Sequence, residues 1–154
     1  LGADKIIGGA GTDTIIILAG DSDFGTISSP AVAVSVLADI ITLAAGDILN
    51  LTGALATQAD YDTLTKVAAG GTITTTLTTN EVGQFVGVYD PATGNFTSSS
   101  TVASGTASST DVDALFYTYA LADGTDTTAT EGLIIIGLGA QADSAILNGV
   151  ITFA

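Results

Sequence analysis

Apolar residues in this chain arrive in short bursts separated by glycine, aspartate, asparagine and serine, which is the punctuation of strands and tight turns. Ile6-Ile7 and Ile15-Ile16-Ile17-Leu18 flank Gly8-Gly9-Ala10-Gly11-Thr12-Asp13, so two strands joined by a glycine-rich turn are expected at the start. Ser28-Ser29-Pro30 breaks the pattern, and a second apolar unit runs from Val32 to Leu51. Within it, Asp39 to Leu51 reads as two short strands around Gly46-Asp47. Thr57 to Val67 is the one stretch that reads as a helix. Thr57 caps it, Asp60 and Asp62 sit in its first turns, Gly70-Gly71 stops it, and Ala59, Leu64 and Val67 form an inward stripe.

Beyond Gly71 the period changes to two. Thr72 to Thr79 alternates, Phe85 to Tyr89 reads as a strand, and Asp90-Pro91-Ala92-Thr93-Gly94-Asn95 has the chemistry of a turn leading to Phe96. Ser98 to Thr110 is a low-complexity run of Ser, Thr, Ala and Gly, either a loop or an edge strand. Asp113 to Leu121 and Gly132 to Leu138 form a hairpin around Asp123-Gly124-Thr125-Asp126, and a last strand spans Ala145 to Phe153.

Composition narrows what such a chain can do. Its 154 residues suffice for one medium domain, or for a short solenoid and a cap. Sixteen acids against two bases, Lys5 and Lys66, give a formal net charge of −14, which argues against nucleic acid and anionic membrane surfaces as partners. With no histidine and no cysteine, imidazole and thiolate metal sites, Cys-His nucleophiles and a Ser-His-Asp relay are excluded. At 47% apolar and 12% charged residues the chain is too hydrophobic to stay disordered, yet its apolar runs are too short to insert in a membrane as helices. Without a methionine, Leu1 is expected to be an interior or processed position. Acid pairs such as Asp111 and Asp113, or Asp123 and Asp126, have the chemistry of a glycosidase, but nothing in the sequence sets them across a cleft, so no enzyme is expected.

The acids sit where a hard cation is served best. Gly2, Asp4 and Ile6 repeat nine residues later as Gly11, Asp13 and Ile15. Glycines allow turns of positive φ that swing carbonyl oxygens inward, an aspartate adds a charged oxygen, and the following apolar residue enters a core. Calcium takes six to eight oxygens, more than one turn offers, so stacked turns must share it. Asp4 and Asp13 are the candidate side-chain ligands, with carbonyls near Gly2, Gly9 and Gly11. Turns alternating sides would bring position 4 beside position 22, where Ser22 lies between Asp21 and Asp23 in a degenerate third turn. Asp21, Asp23, Asp39 and Asp47 complete the candidates.

Gly8 to Ile16 fits the nonapeptide G-G-x-G-x-D-x-U-x, and Asp39 to Leu51 resembles the segment that closes a β-roll, with Leu43 in place of an aromatic and Asn50 in place of an acid. Followed by the aromatic strand Asp111 to Tyr119, this order resembles the C-terminal region of repeat-in-toxin proteins exported by the type I pathway, surface-layer proteins among them. The resemblance implies a mainly β fold: a short parallel β-roll over residues 1–53, and a β-rich C-terminal cap domain over 54–154 with one short helix near 57–68. It also implies bound Ca2+, a secreted or cell-surface location, an export signal near the C-terminus, and self-assembly into a homo-oligomer or polymer such as a surface layer. The alternative is the secretion and folding module of a larger exoenzyme or adhesin. A cell-surface polysaccharide is a further candidate partner, through the hydroxyl row Thr72, Thr74, Thr76 and Thr78.

Overall fold

A computed structural model describes residues 3–20, 22, 33–35, 38–54, 63–68, 71–73, 81–98, 112–119, 131–138 and 144–153. These residues are mainly β, with no helix among them. The strands are β1 (Lys5–Ile7), β2 (Thr14–Leu18), β3 (Ala33–Ser35), β4 (Asp39–Thr42), β5 (Ile48–Gly53), β6 (Thr63–Val67), β7 (Glu81–Asp90), β8 (Asn95–Thr97), β9 (Val112–Tyr119), β10 (Glu131–Ile136), β11 (Ser144–Leu147) and β12 (Val150–Phe153).

They form two sheets. The larger runs β1-β4-β10-β9-β7-β8-β3, with β6 also paired to β7; the smaller runs β11-β12-β5-β2. β7 is long enough to serve two neighbours on one side, β6 along Glu81 to Phe85 and β8 along Val88 to Asp90. Consecutive strands β1 and β2 belong to different sheets, as do β4 and β5. Each strand of the first pair lies parallel to its counterpart in the second, with Lys5 opposite Ile40 and Thr14 opposite Ile48. The first two-strand unit is thereby laid on the second.

The alternation of each strand divides its side chains between faces. One core, holding Ile17, Ile41, Leu49, Leu51, Tyr117, Leu133, Ile151 and Phe153, draws on both sheets. A second, with Phe85, Phe96, Phe116 and Ile134, lies on the opposite face of the large sheet. Phe116 packs on Phe96 and Phe85 with ring centres 5.4 and 6.2 Å apart. Burial of each such side chain contributes about 1.5–3 kcal/mol. Strands from 1–53 and from 54–154 share both sheets and the first core, β4 pairing with β10 and β5 with β12.

Two expected elements are different in the fold. The helix expected near 57–68 is replaced over Thr63–Val67 by β6, parallel to β7; residues 55–62 lie outside the described residues. Thr63, Thr65 and Val67 are β-branched and suit a strand, and the adjoining edge of β7 supplies the backbone partners that capping residues cannot. The last strand is in fact a hairpin. Asn148 and Gly149, at φ 49° and 75°, turn the chain between β11 and β12, so that Leu147 faces Val150. Both turn residues have the left-handed backbone that a two-residue hairpin loop requires.

β9 and β10 pair antiparallel and β7 turns back into β8, as expected, whereas the alternating run Thr72 to Thr79 lies largely outside the described residues. Residues 28–30, 74–80, 99–111 and 120–130 lie outside the described residues, and with them the hydroxyls of Thr74, Thr76 and Thr78.

Candidate metal centre at the stacked turns

The turn from Gly8 to Asp13 lies against the turn from Leu43 to Asp47, because β1 stacks on β4 and β2 on β5. Gly8 N–H donates to the Thr42 carbonyl at 3.1 Å, and Ile48 N–H donates to the Asp13 carbonyl at 2.8 Å. Gly9 and Gly11 have φ of 104° and 117°, and Gly46 in the lower turn has 94°, the positive values expected of glycines that bend a loop tightly.

Asp47 is fully buried and organises this corner. Its Oδ1 accepts the Asp13 N–H at 2.8 Å and its Oδ2 accepts the Ala44 N–H at 2.7 Å. The lower turn is tied down further by Gly46 N–H donating to the Phe153 carbonyl at 2.8 Å. Asp13 answers differently. Its Oδ2 is buried and has no hydrogen-bond partner. A methyl group on Gly8 would meet Asp13 Oδ2 at 3.2 Å and Asp47 Oδ2 at 3.3 Å, so both carboxylates flank the space that the glycine leaves open.

The corner ahead of β1 repeats the same bond. Asp4 N–H donates to Asp39 Oδ1 at 2.8 Å, and Ile40 N–H donates to the Asp4 carbonyl at 2.8 Å. At both corners, therefore, an aspartate of the second unit accepts the N–H of the matching aspartate in the first. The ladder then continues. Asp39 N–H donates to Ser22 Oγ at 2.8 Å, Ser22 Oγ–H donates to the Gly132 carbonyl at 2.5 Å, and Ser22 N–H donates to Glu131 Oε2 at 3.2 Å. Asp39, Ser22 and Glu131 are all buried.

The expected candidates therefore divide between two corners: Asp4 and Asp39 at one, Gly9, Gly11, Asp13 and Asp47 at the other. Gly2, Asp21 and Asp23 lie outside the described residues. The eighteen-residue step that sets Ser22 beside Asp4 finds the right corner but the wrong neighbour. Asp39 intervenes, because the stacked units are 34 and 35 residues apart, as Thr14 to Ile48 and Lys5 to Ile40 show. The segment between β2 and β4 accounts for the longer step.

Glu131 was not among the sequence candidates, although it carries the same signal. Like Asp4, Asp13, Asp39 and Asp47, it is an acid one or two residues ahead of an apolar run. Among the described residues, no three acidic side chains gather closely enough to hold a metal by themselves. A cation here would need backbone carbonyls as well, which calcium accepts readily. Asp13 Oδ2 fits such an ion, because a buried anionic oxygen without a donor is costly unless a positive charge meets it. Compared with known proteins, the chain matches no protein-family model, no curated protein and no solved structure.

Proposed function

We propose that this chain is a calcium-binding structural module of β-roll type, secreted and working outside the cell as a subunit of a surface assembly. The observation that carries the reading is the orphaned Asp13 Oδ2, buried beside the Asp47 carboxylate in a pair of stacked glycine turns. Asp13 and carbonyls of the Gly8–Asp13 turn would hold the ion, with Asp47 closing the far side. Bound calcium would neutralise adjoining carboxylates and hold one unit on the next. Asp4 and Asp39 support a weaker claim, since Asp4 is exposed, where water can meet its carboxylate, while Asp13 Oδ2 is buried without a partner.

Extracellular modules bind calcium with dissociation constants on the order of 10⁻⁴ to 10⁻³ M, so such a site fills outside the cell and stays empty inside. An ion that binds only the folded chain stabilises it by about 1–3 kcal/mol per site when calcium exceeds the dissociation constant ~10- to ~100-fold. A chain with net charge −14 gains further from the lost self-repulsion.

Thermal melts followed by circular dichroism, in millimolar calcium and in chelator, test this reading. Calcium should raise the melting temperature of the wild type, and Asp13→Ala should remove most of that rise. Identical melts with and without calcium would sink the proposal.

A further inference from the structure

The small sheet is apolar on its inner face, and on its outer face mixes apolar residues with Thr14, Asn50, Thr52 and Thr152. Its inward side chains, Ile17, Leu49, Ile151 and Phe153 among them, enter the first core. Its outward side chains include Ile16 at 60%, Leu18 at 54% and Leu147 at 65% exposure. Strands written as continuous apolar runs, as Ile15-Ile16-Ile17-Leu18 is, are usually covered on both sides. Among the described residues, one face is covered and the other carries exposed side chains.

Relief and charge on this outer face both bear on its partner. Ile16 and Leu18 project from β2 at one edge of the sheet. At the other edge, around the β11–β12 hairpin, lies a hollow of about 510 Å³ lined by Ala145, Ile146, Leu147, Asn148, Val150 and Thr152. The register of the strands places Leu147, Val150, Asn50 and Ile16 in one row across the sheet, so knob and hollow are at opposite ends of the same line. None of the outward side chains on the described strands of this sheet is charged, in a chain with sixteen acids. Two copies can meet here without bringing carboxylates together, whereas a basic partner or a lipid headgroup would find no charge to engage.

We infer that this face is a homotypic docking surface, on which two copies pack sheet to sheet about a two-fold axis running along the strands between β12 and β5. That axis lays β2 of each copy over β11 of the other, with Ile16 opposite the partner's Leu147 and Thr14 opposite the partner's Ala145 at its hollow. The face measures roughly 20 by 15 Å from strand spacing and rise. Its footprint of ~300 Å² is well under the ~800 Å² per partner of a standard interface, so a single contact is weak and concentration-dependent. The inference deepens the assembly part of the function proposed above and is independent of its calcium part.

Sedimentation equilibrium of the intact chain in millimolar calcium, from about 10 μM to about 1 mM, reads this contact in the range where weak complexes populate. The wild type should dimerise, and Ile16→Glu and Leu147→Lys should each weaken dimerisation at least ~10-fold with circular dichroism unchanged. The double variant I16E/L147K should recover association, because the axis sets the new charges opposite one another. A wild type that stays monomeric throughout, or association indifferent to these charges, overturns the inference. Monomers whose melting temperature falls in Ile16→Glu would assign the face to another segment of the same chain, and vesicle binding by the wild type without dimers would assign it to lipid; either result also overturns it. Failure of calcium to alter the melts leaves this test unaffected, so the two readings fail separately.

Discussion

At the residue scale, a carboxylate in this protein does the work of a backbone carbonyl. Asp47 is fully buried, and both of its oxygens accept backbone N–H groups, from Asp13 and Ala44. Hydrogen bonds to a charged acceptor contribute about 1.5–3 kcal/mol each, and a buried donor left without one costs a comparable amount. Asp47→Ala should therefore destabilise the fold by about 3 kcal/mol or more. Asp47→Asn, which keeps one acceptor oxygen, should cost less, and urea denaturation of the two variants would show the difference.

Asp90 uses its carboxylate in another way, on the surface. Thr93 Oγ1–H donates to its Oδ2 at 2.6 Å and Ala92 N–H to its Oδ1 at 2.8 Å, closing the turn after β7. Bonds to the charged form hold its pKa below the usual aspartate value, the Thr93 hydroxyl most of all. A depressed carboxylate pKa stabilises the fold above the unfolded value, near ~3.9, and the contribution is lost as pH falls through the folded value. The turn should thus be indifferent to pH between neutral and ~5 and loosen only in stronger acid. Thr93→Ala should move the Asp90 midpoint upward in an NMR titration of its carboxyl carbon. Its neighbour Tyr89 is shifted the other way, since burial and then the Asp90 charge both raise the phenol above its ordinary range.

At the element scale, the strands are set by alternation and their ends by backbone geometry. The β11–β12 hairpin depends on Asn148 at φ 49° and Gly149 at φ 75°. An L-residue with a Cβ costs roughly 1–2 kcal/mol in the left-handed region, so Gly149→Val should destabilise the hairpin by that amount or more. Gly149→Asn should be tolerated better. Hydrogen exchange at Ile146 and Ile151, which face each other in this pair, would locate the loss. The Asn-Gly pair was legible in the sequence, but the apolar residues on either side read as one run. In β6 the error has another origin. Capping residues and the apolar stripe Ala59, Leu64 and Val67 make a local case for helix, while the side of β7 that receives Thr63 to Val67 belongs to residues further along the chain.

At the scale of the whole molecule, strands of the first fifty or so residues share both sheets with strands from the rest of the chain. β4 pairs with β10 and β5 with β12, and the first core is built from both parts of the chain. Calcium at the corner of the first two units would thus bear on more than a local loop, because Asp47 and Phe153 share the backbone bonds that join the lower turn to β12. The outward face of the small sheet has the opposite standing: it contributes nothing to the monomer's core, and the proposed pairing would give it one.

The mainly β character of the chain, the tight turns at Gly9 and Gly11, and the acids Asp4, Asp13, Asp39 and Asp47 ahead of their apolar runs are all legible in the sequence. Those features depend on neighbours: a glycine's freedom, the two-residue repeat of a strand, the preference of a carboxylate for backbone N–H groups. Tertiary structure alone decided which backbone N–H each buried carboxylate accepts. Asp4 with Asp39, Asp13 with Asp47, and Ser22 with Glu131 are joined by strand register, and register is set by the packing of a core whose members lie many residues apart. No nine- or eighteen-residue count along the chain contains that information, since the segment between β2 and β4 sets the step from one stacked unit to the next at 34 to 35 residues.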